Sequence, residues 1–168
     1  KLIGFETEFA EAVCEKLGVK PNFVEIKWDS KETELASKNI DCIWNGLTIT
    51  DGRKTNMALT QPYMSNKQIL VAKADKAAAA AKSVDGLAIS AEQGSTGESV
   101  IQENEFFKGA NFTAVDDQAK ALLEVESGVA DAAVVDYVMS IGSIGEGTDY
   151  ADLKIADKDL ESTEDYGI

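Results

Sequence analysis

Along KLIGFETEFAEAVCEKLGVKPNFVEI the apolar side chains Phe5, Phe9, Val13 and Leu17 recur every fourth residue, the stripe of an amphipathic helix that Gly18 ends. Asn22 to Ile26 then reads as a short strand, residues 31–37 as a second helix, and IDCIWNG as an apolar strand. NGLTITDGRKT turns toward a further short helix, and KQILVA, residues 67–72, is another strand. After KADKAAAAAKSVDG, an alanine run between lysines that reads as a segment between lobes, the alternation resumes. LAISA is a strand, EQGSTGES a turn, and a helix runs from about Ser99. Strand NFTAV, helix QAKALLEVESG and strand ADAAVVD follow, then an acidic tail. Helices and strands that alternate in this way predict an α/β fold.

Two stretches repeat one another. ELASKNIDCIWNG and LEVESGVADAAVVD both read as helix end, turn, aspartate and apolar strand, with Ser37 on Ser127, Asp41 on Asp131 and Gly46 on Asp136. Two similar lobes follow, each presenting the C-terminal end of an equivalent strand, where open α/β sheets bind ligands. LIGF enters a helix with no core strand before it, and YGI reads as a strand that has barely begun. The expectation is therefore a chain truncated at both ends.

Composition narrows the chemistry. Of 168 residues, 44% are hydrophobic, enough for a real core. Thirty acidic residues against sixteen basic ones give a formal net charge of -14, which repels nucleic acid and anionic membranes. Histidine is absent, which excludes Ser–His–Asp and Cys–His catalysis and most zinc sites, and no metal or cofactor is expected. Cys14 and Cys42 lack CxxC spacing, leaving a single disulfide or two buried thiols open. No apolar stretch approaches the roughly 20 residues of a membrane helix, and KLIGFETEF is not a signal peptide.

Three places can carry recognition. Arg53 is the only arginine, and its planar fork is the side chain best shaped to hold a carboxylate. Before it, Asn45 and Gly46 leave the main chain accessible and Thr48 adds a hydroxyl and an amide. The plainer reading makes Thr50 a helix cap and Arg53 a surface ion pair. The turn Gln93, Gly94, Ser95, Thr96 lies between strand and helix, where amides and the helix dipole suit an anion. It lacks the lysine and spacing of a P-loop, and a simple helix cap is the alternative. Asp136 either caps the next element or offers a fixed negative partner to an ammonium group. Together the three match the two charged ends of a zwitterionic amino acid. Trp28 follows a predicted strand and either covers a ligand or packs in a core. Trp44 is read as core.

IDCIWNGLTITDGRKTNMALTQPYMSNKQILVAK resembles the corresponding region of the periplasmic amino-acid-binding proteins of polar amino-acid ABC importers, whose pattern is similar to D-x-I-x-x-G-x-T-I-T-x-x-R followed by x-P-Y. QGSTGES resembles their GTTGE turn and ADAAVVD their DAVVxD strand, in the same order over essentially the whole chain. The resemblance implies a two-lobed periplasmic-binding-protein fold of the Venus-flytrap type. The large lobe, 1–72, is then incomplete, the small lobe is 73–165, and 166–168 starts a return crossover. It implies an amino acid held in the interlobe cleft and delivered to a membrane permease, with no catalysis. The carboxylate would be held by Arg53 and the amides of Thr48 and Thr96, and the ammonium by Asp136, Thr48 and the carbonyl of Gly46. Trp28 would cover the ligand, and Asn45 and Gln93 would read its side chain. Localisation would be periplasmic or extracellular, a lipid-anchored form included. Gly52 departs from the glutamate usual there. A ligand-sensing ectodomain and a dehydratase-like enzyme using Glu92 or Glu98 are the alternatives on the same fold.

Overall fold

A computed structural model describes residues 2–168. The elements run α1 (Phe5–Leu17), a 3-10 turn at Trp28–Ser30, α2 (Lys31–Ala36), β1 (Leu47–Thr48), α3 (Asp51–Asn56) and β2 (Met64–Lys73). They continue with α4 (Ala77–Ala80), β3 (Ala88–Glu92), α5 (Thr96–Glu103), β4 (Asn111–Val115), α6 (Gln118–Ser127), β5 (Ala132–Asp136), α7 (Tyr137–Ser140), β6 (Leu153–Ile155) and β7 (Thr163–Gly167). The chain divides into two compact units. The first takes the chain up to Ile26, Ser30–Met64 and Asp165–Ile168; the second takes Lys27–Asp29 and Ser65–Glu164.

In the second unit the two apolar runs of the sequence become neighbours. β2 and β5 pair antiparallel, with Gln68 opposite Asp136 and Val71 opposite Ala133. β3 lies parallel to β5 and β4 parallel to β3, while β6 pairs antiparallel with the later part of β2. Side chains alternate across a strand, so a continuous apolar run implies two covered faces. Leu70, Ala72, Ala132 and Val134 face one core with Ile101, Phe107 and Leu160. Ile69, Val71, Ala133 and Val135 face the other, filled by Ala121, Leu122 and Val125 of α6. The alanine run of residues 73–86 lies inside this unit, its α4 burying Ala77 and Ala80 in the first core. α5 starts three residues before the expected Ser99, because the Ser95 hydroxyl accepts from the Glu98 amide and caps it there.

The first unit departs further from the sequence expectation. α1 forms as the stripe predicts, and Gly18 ends it in the left-handed conformation with its amide and that of Val19 returned to Glu15 and Cys14. Yet Ala10 is its one buried residue among those described, and Phe5 and Leu17 are exposed. Asn22 to Ile26 is not a strand: Phe23 and Val24 are exposed and no ladder forms there. IDCIWNG is not a strand either, although Ile43 is buried. An apolar pattern secures burial, whereas a strand also needs a neighbour for its backbone groups. The ladder begins at β1, where Leu47 faces Gly167 and Thr48 faces Tyr166 of β7.

Leu122 is fully buried beneath the sheet while its neighbour Leu123 points outward, about half exposed. Leu122→Ala is expected to cost about 2–5 kcal/mol in denaturant unfolding, and Leu123→Ala less than about 0.5 kcal/mol.

Candidate functional site

Asp136 ends β5 and is 8% exposed. It stands at the N-terminal boundary of α7 without capping it through its side chain, so the default role for such an aspartate does not apply. Instead Gln118, in the first turn of α6, binds it at both ends. Gln118 Nε2 donates to Asp136 Oδ2 at 2.9 Å, and the Asp136 amide donates to Gln118 Oε1 at 2.9 Å. Asp136 Oδ1 accepts from Gln68 Nε2. Among the described residues no lysine or arginine forms an ion pair with Asp136. It is a buried carboxylate satisfied by neutral amides, and burial of an anion without a counter-charge is costly unless a cation joins it.

A second acid approaches the same place. Asn66 and Gln68 lie on one face of β2, two residues apart, and both are buried. Asn66 Nδ2 donates to Glu164 Oε1 at 2.6 Å, and Gln68 Nε2 donates to it at 2.8 Å. The Asn66 carbonyl in turn accepts from the Val138 amide at 3.1 Å, tying this edge to α7. Burial raises the pKa of the Glu164 carboxyl above the ordinary glutamate value, and the charge of Asp136 raises it further. Hydrogen bonds from Asn66, Gln68 and Thr96 partly offset that rise.

The turn between β3 and α5 is built by backbone geometry. Gly94 is left-handed, and a Cβ there would stand 2.8 Å from Asp29 Cα, so only glycine lets this turn meet the Trp28–Ser30 turn. Glu98 Oε2 accepts from the Gly94 amide at 2.6 Å and Glu98 Oε1 from Gln102 Nε2 at 3.1 Å, which commits Glu98 to the helix start. At Gly97 a Cβ would come 2.9 Å from Gln68 Oε1 and 3.2 Å from the Val134 carbonyl, so the first turn of α5 rests directly on β2 and β5. Its amides sit at the positive end of the helix.

In the first unit Arg53 lies in α3, 8% exposed rather than on the surface. Its Nη1 donates to the Thr48 carbonyl at 2.7 Å, and Thr50 caps the helix by accepting from the Arg53 amide at 3.2 Å. Cap and buried fork therefore coexist. Gly46 has a left-handed backbone beside the ring of Tyr166, and its amide donates to Glu6 Oε1 at 3.3 Å. The same oxygen accepts from the Tyr63 hydroxyl at 2.6 Å, and burial first, then Glu6, pushes that phenol above its usual pKa. Phe9 packs edge-on against Trp44, with ring centres 5.1 Å apart, and also touches Phe5 and Tyr63.

The second unit thus carries Trp28, Gln93, Gly94, Ser95, Thr96 and Asp136, and the first carries Asn45, Gly46, Thr48 and Arg53. Asn45 is exposed and Trp28 half-buried. Sequence reasoning overlooked Asn66, Gln68, Gln118 and Glu164. The signal was present in SNKQILVA, where two amides alternate at the start of an otherwise apolar strand. Asp131, the repeat counterpart of Asp41, accepts from the Ala88 amide at 3.0 Å and fixes the start of β3 beside β5. Cys14 and Cys42 are free thiols, that of Cys42 pushed up by burial, then by Asp41 and Cys14. Among the described residues no cluster of acidic or thiol groups can hold a metal, and no helix is long and apolar enough to cross a membrane.

Gly94→Ala is expected to lower stability by at least about 1 kcal/mol, the cost of a left-handed alanine alone, with the contact to Asp29 added to it. Thermal unfolding of the variant checks this.

The bacterial extracellular solute-binding proteins, family 3, match residues 1–159. The L-cystine-binding protein TcyJ of Escherichia coli K12 is 30% identical over 151 residues, covering 89% of this chain and 56% of that protein. The chain therefore spans about half the length of the curated relatives it matches. Holo ArgBP from T. maritima superimposes with a TM-score of 0.81 at 27% identity, over 99% of this chain and 72% of that one. An ancestral amino acid-binding protein, AncCDT-1, described as a precursor of cyclohexadienyl dehydratase, gives a TM-score of 0.81 at 28% identity, over 99% and 71%.

Proposed function

The chain belongs to the bacterial extracellular solute-binding proteins of family 3, and from that premise we propose that it binds a free amino acid outside the cytoplasm and delivers it to the permease of an ABC importer. The observation that carries the reading is Asp136, a buried carboxylate held only by amides, to which a ligand ammonium would bring the missing positive charge. Arg53 takes the ligand carboxylate with the amides of Thr48 and Thr96. Gly46 and Thr48 add a carbonyl and a hydroxyl to the ammonium, Trp28 covers the ligand, and Asn45 and Gln93 read its side chain beside the turn of Gly94 and Ser95.

The relatives support this reading in kind: one binds L-cystine and another histidine. Loss of either charged anchor removes one member of a desolvated pair and leaves its partner uncompensated. A dehydratase would need an acid at Glu92 or Glu98, and Glu98 is already engaged by Gly94 and Gln102. The neighbour on that lineage is itself described as an amino acid-binding protein. A sensing ectodomain would use the same groups and differ only in what the bound state signals to.

A thermal-shift screen against the common L-amino acids at millimolar concentration tests the proposal. One or a few should raise the wild-type midpoint by linkage. Arg53→Ala and Asp136→Asn are each expected to weaken binding by about 2–5 kcal/mol. Affinity unchanged in Arg53→Ala refutes the assignment of the carboxylate anchor.

A further inference from the structure

Asp136 and Glu164 meet at one nitrogen. Gln68 Nε2 has two protons to give, yet it faces three oxygens: Asp136 Oδ1, Glu164 Oε1 at 2.8 Å and Thr96 Oγ1 at 2.9 Å. Two carboxylates on either side of a neutral amide repel one another when both are ionised. Hydrogen bonds from Asn66, Gln68 and Thr96 stabilise the ionised Glu164 only in part, and none of these groups brings a positive charge. From β2 come Asn66 and Gln68 and from α5 comes Thr96, all neutral, while from β5 comes Asp136, an anion. No lysine or arginine forms an ion pair with either acid among the described residues. A proton on Glu164 would relieve that repulsion in the ligand-free protein, and a ligand cation beside Asp136 would relieve it in the liganded one.

We propose that Glu164 is a positioning residue of the ammonium site: it holds the Gln68 amide that holds Asp136, and its proton leaves for solvent as the ammonium arrives. The inference rests on the reading of Asp136 as the ammonium partner. Its physical basis is a substitution of one positive charge for another. Burial and Asp136 favour the protonated carboxyl before binding, and an ammonium placed against Asp136 favours the carboxylate. Binding therefore releases a proton, and affinity climbs as pH rises through the range in which free Glu164 is protonated and liganded Glu164 is not. The slope is bounded at about tenfold per pH unit, the limit for one linked proton.

A structural role alone would leave no such trace. A residue that only braced Gln68 would change affinity by a constant factor when altered. It would not set the pH profile.

The same pair has a consequence without ligand. An acid whose pKa is raised in the folded state binds more protons folded than unfolded. Its contribution to stability is therefore lost as pH rises from the ordinary glutamate value, about 4.3, through the folded one. Glu164→Gln should flatten that part of the stability profile.

The deciding experiment is titration calorimetry of the intact chain from about pH 5 to about pH 8, in two buffers of different ionisation heat. The probes are the common L-amino acids that shift its melting midpoint. Wild type should show affinity rising with pH and a buffer-dependent heat that reports up to one proton released per ligand. Glu164→Gln should bind with a flat profile and no buffer-dependent heat. A variant with the wild-type slope and proton release, or a wild type with neither, overturns the proposal. If no amino acid binds at any pH, the reading of Asp136 falls instead, and carboxyl-carbon NMR titration of the free protein then decides the role of Glu164. Glu164 should titrate above the surface glutamates and move down in Asp136→Asn. Titration together with the surface glutamates overturns the coupling.

Discussion

A carboxylate buried at the end of an apolar strand is the constraint on which the second unit depends. Asp136 cannot be left among Val134, Val135 and the helices above them without hydrogen bonds, because an unpaired buried anion costs several kcal/mol. Gln118 on α6 and Gln68 on β2 meet that requirement from two sides. Each is then fixed in turn: Gln118 by the Asp136 amide, Gln68 by Glu164 and by the first turn of α5 pressed against its carbonyl oxygen. One charge at a strand end thus sets the positions of a helix, a neighbouring strand and a turn.

The arrangement also explains why the amides of β2 are where they are. Asn66 and Gln68 occupy two of the few buried polar positions in the unit, and their side-chain hydrogen bonds run to the acids, to Thr96 and to α7. Hydrophobic burial on both faces of the sheet gives the unit its stability. The polar network gives the strand end a defined geometry at some cost to that stability. Glu98 and Asp131 do quieter work of the same kind, each satisfying backbone amides where an element begins.

Legibility in the sequence followed the physics of each segment. Where an apolar run had neighbours on both sides, as at Ile69–Ala72 and Ala132–Val135, pattern alone located the strands, while their pairing in one sheet came only from the fold. NFTAV and QAKALLEVES were equally plain, the second closed by Gly128 in the left-handed conformation. Asn22 to Ile26 and Ile40 to Gly46 carry strand-like side chains, but pairing partners are a property of the fold and not of the segment, and no ladder forms there. Arg53, Ser95 and Asp136 stood out because their residue types are rare or strategically placed. Glu164 and Gln68 did not. Their significance lies in a meeting across nearly a hundred residues of chain, which no local spacing encodes.

The way the two units divide the chain orders its folding. The second unit is almost one continuous stretch, Ser65–Glu164, whereas the first is assembled from three pieces, the last being Asp165–Ile168. On a ribosome the sheet around Asp136 can close while β1 still waits, since Leu47 has no ladder partner until Gly167 has been made. Contacts of such long sequence separation form late because loop closure must precede any gain from them. The unit whose first two pieces are translated first therefore receives its third only after the second unit has been made. During that interval Arg53 belongs to an unfinished unit while the acid end of the second is already in place.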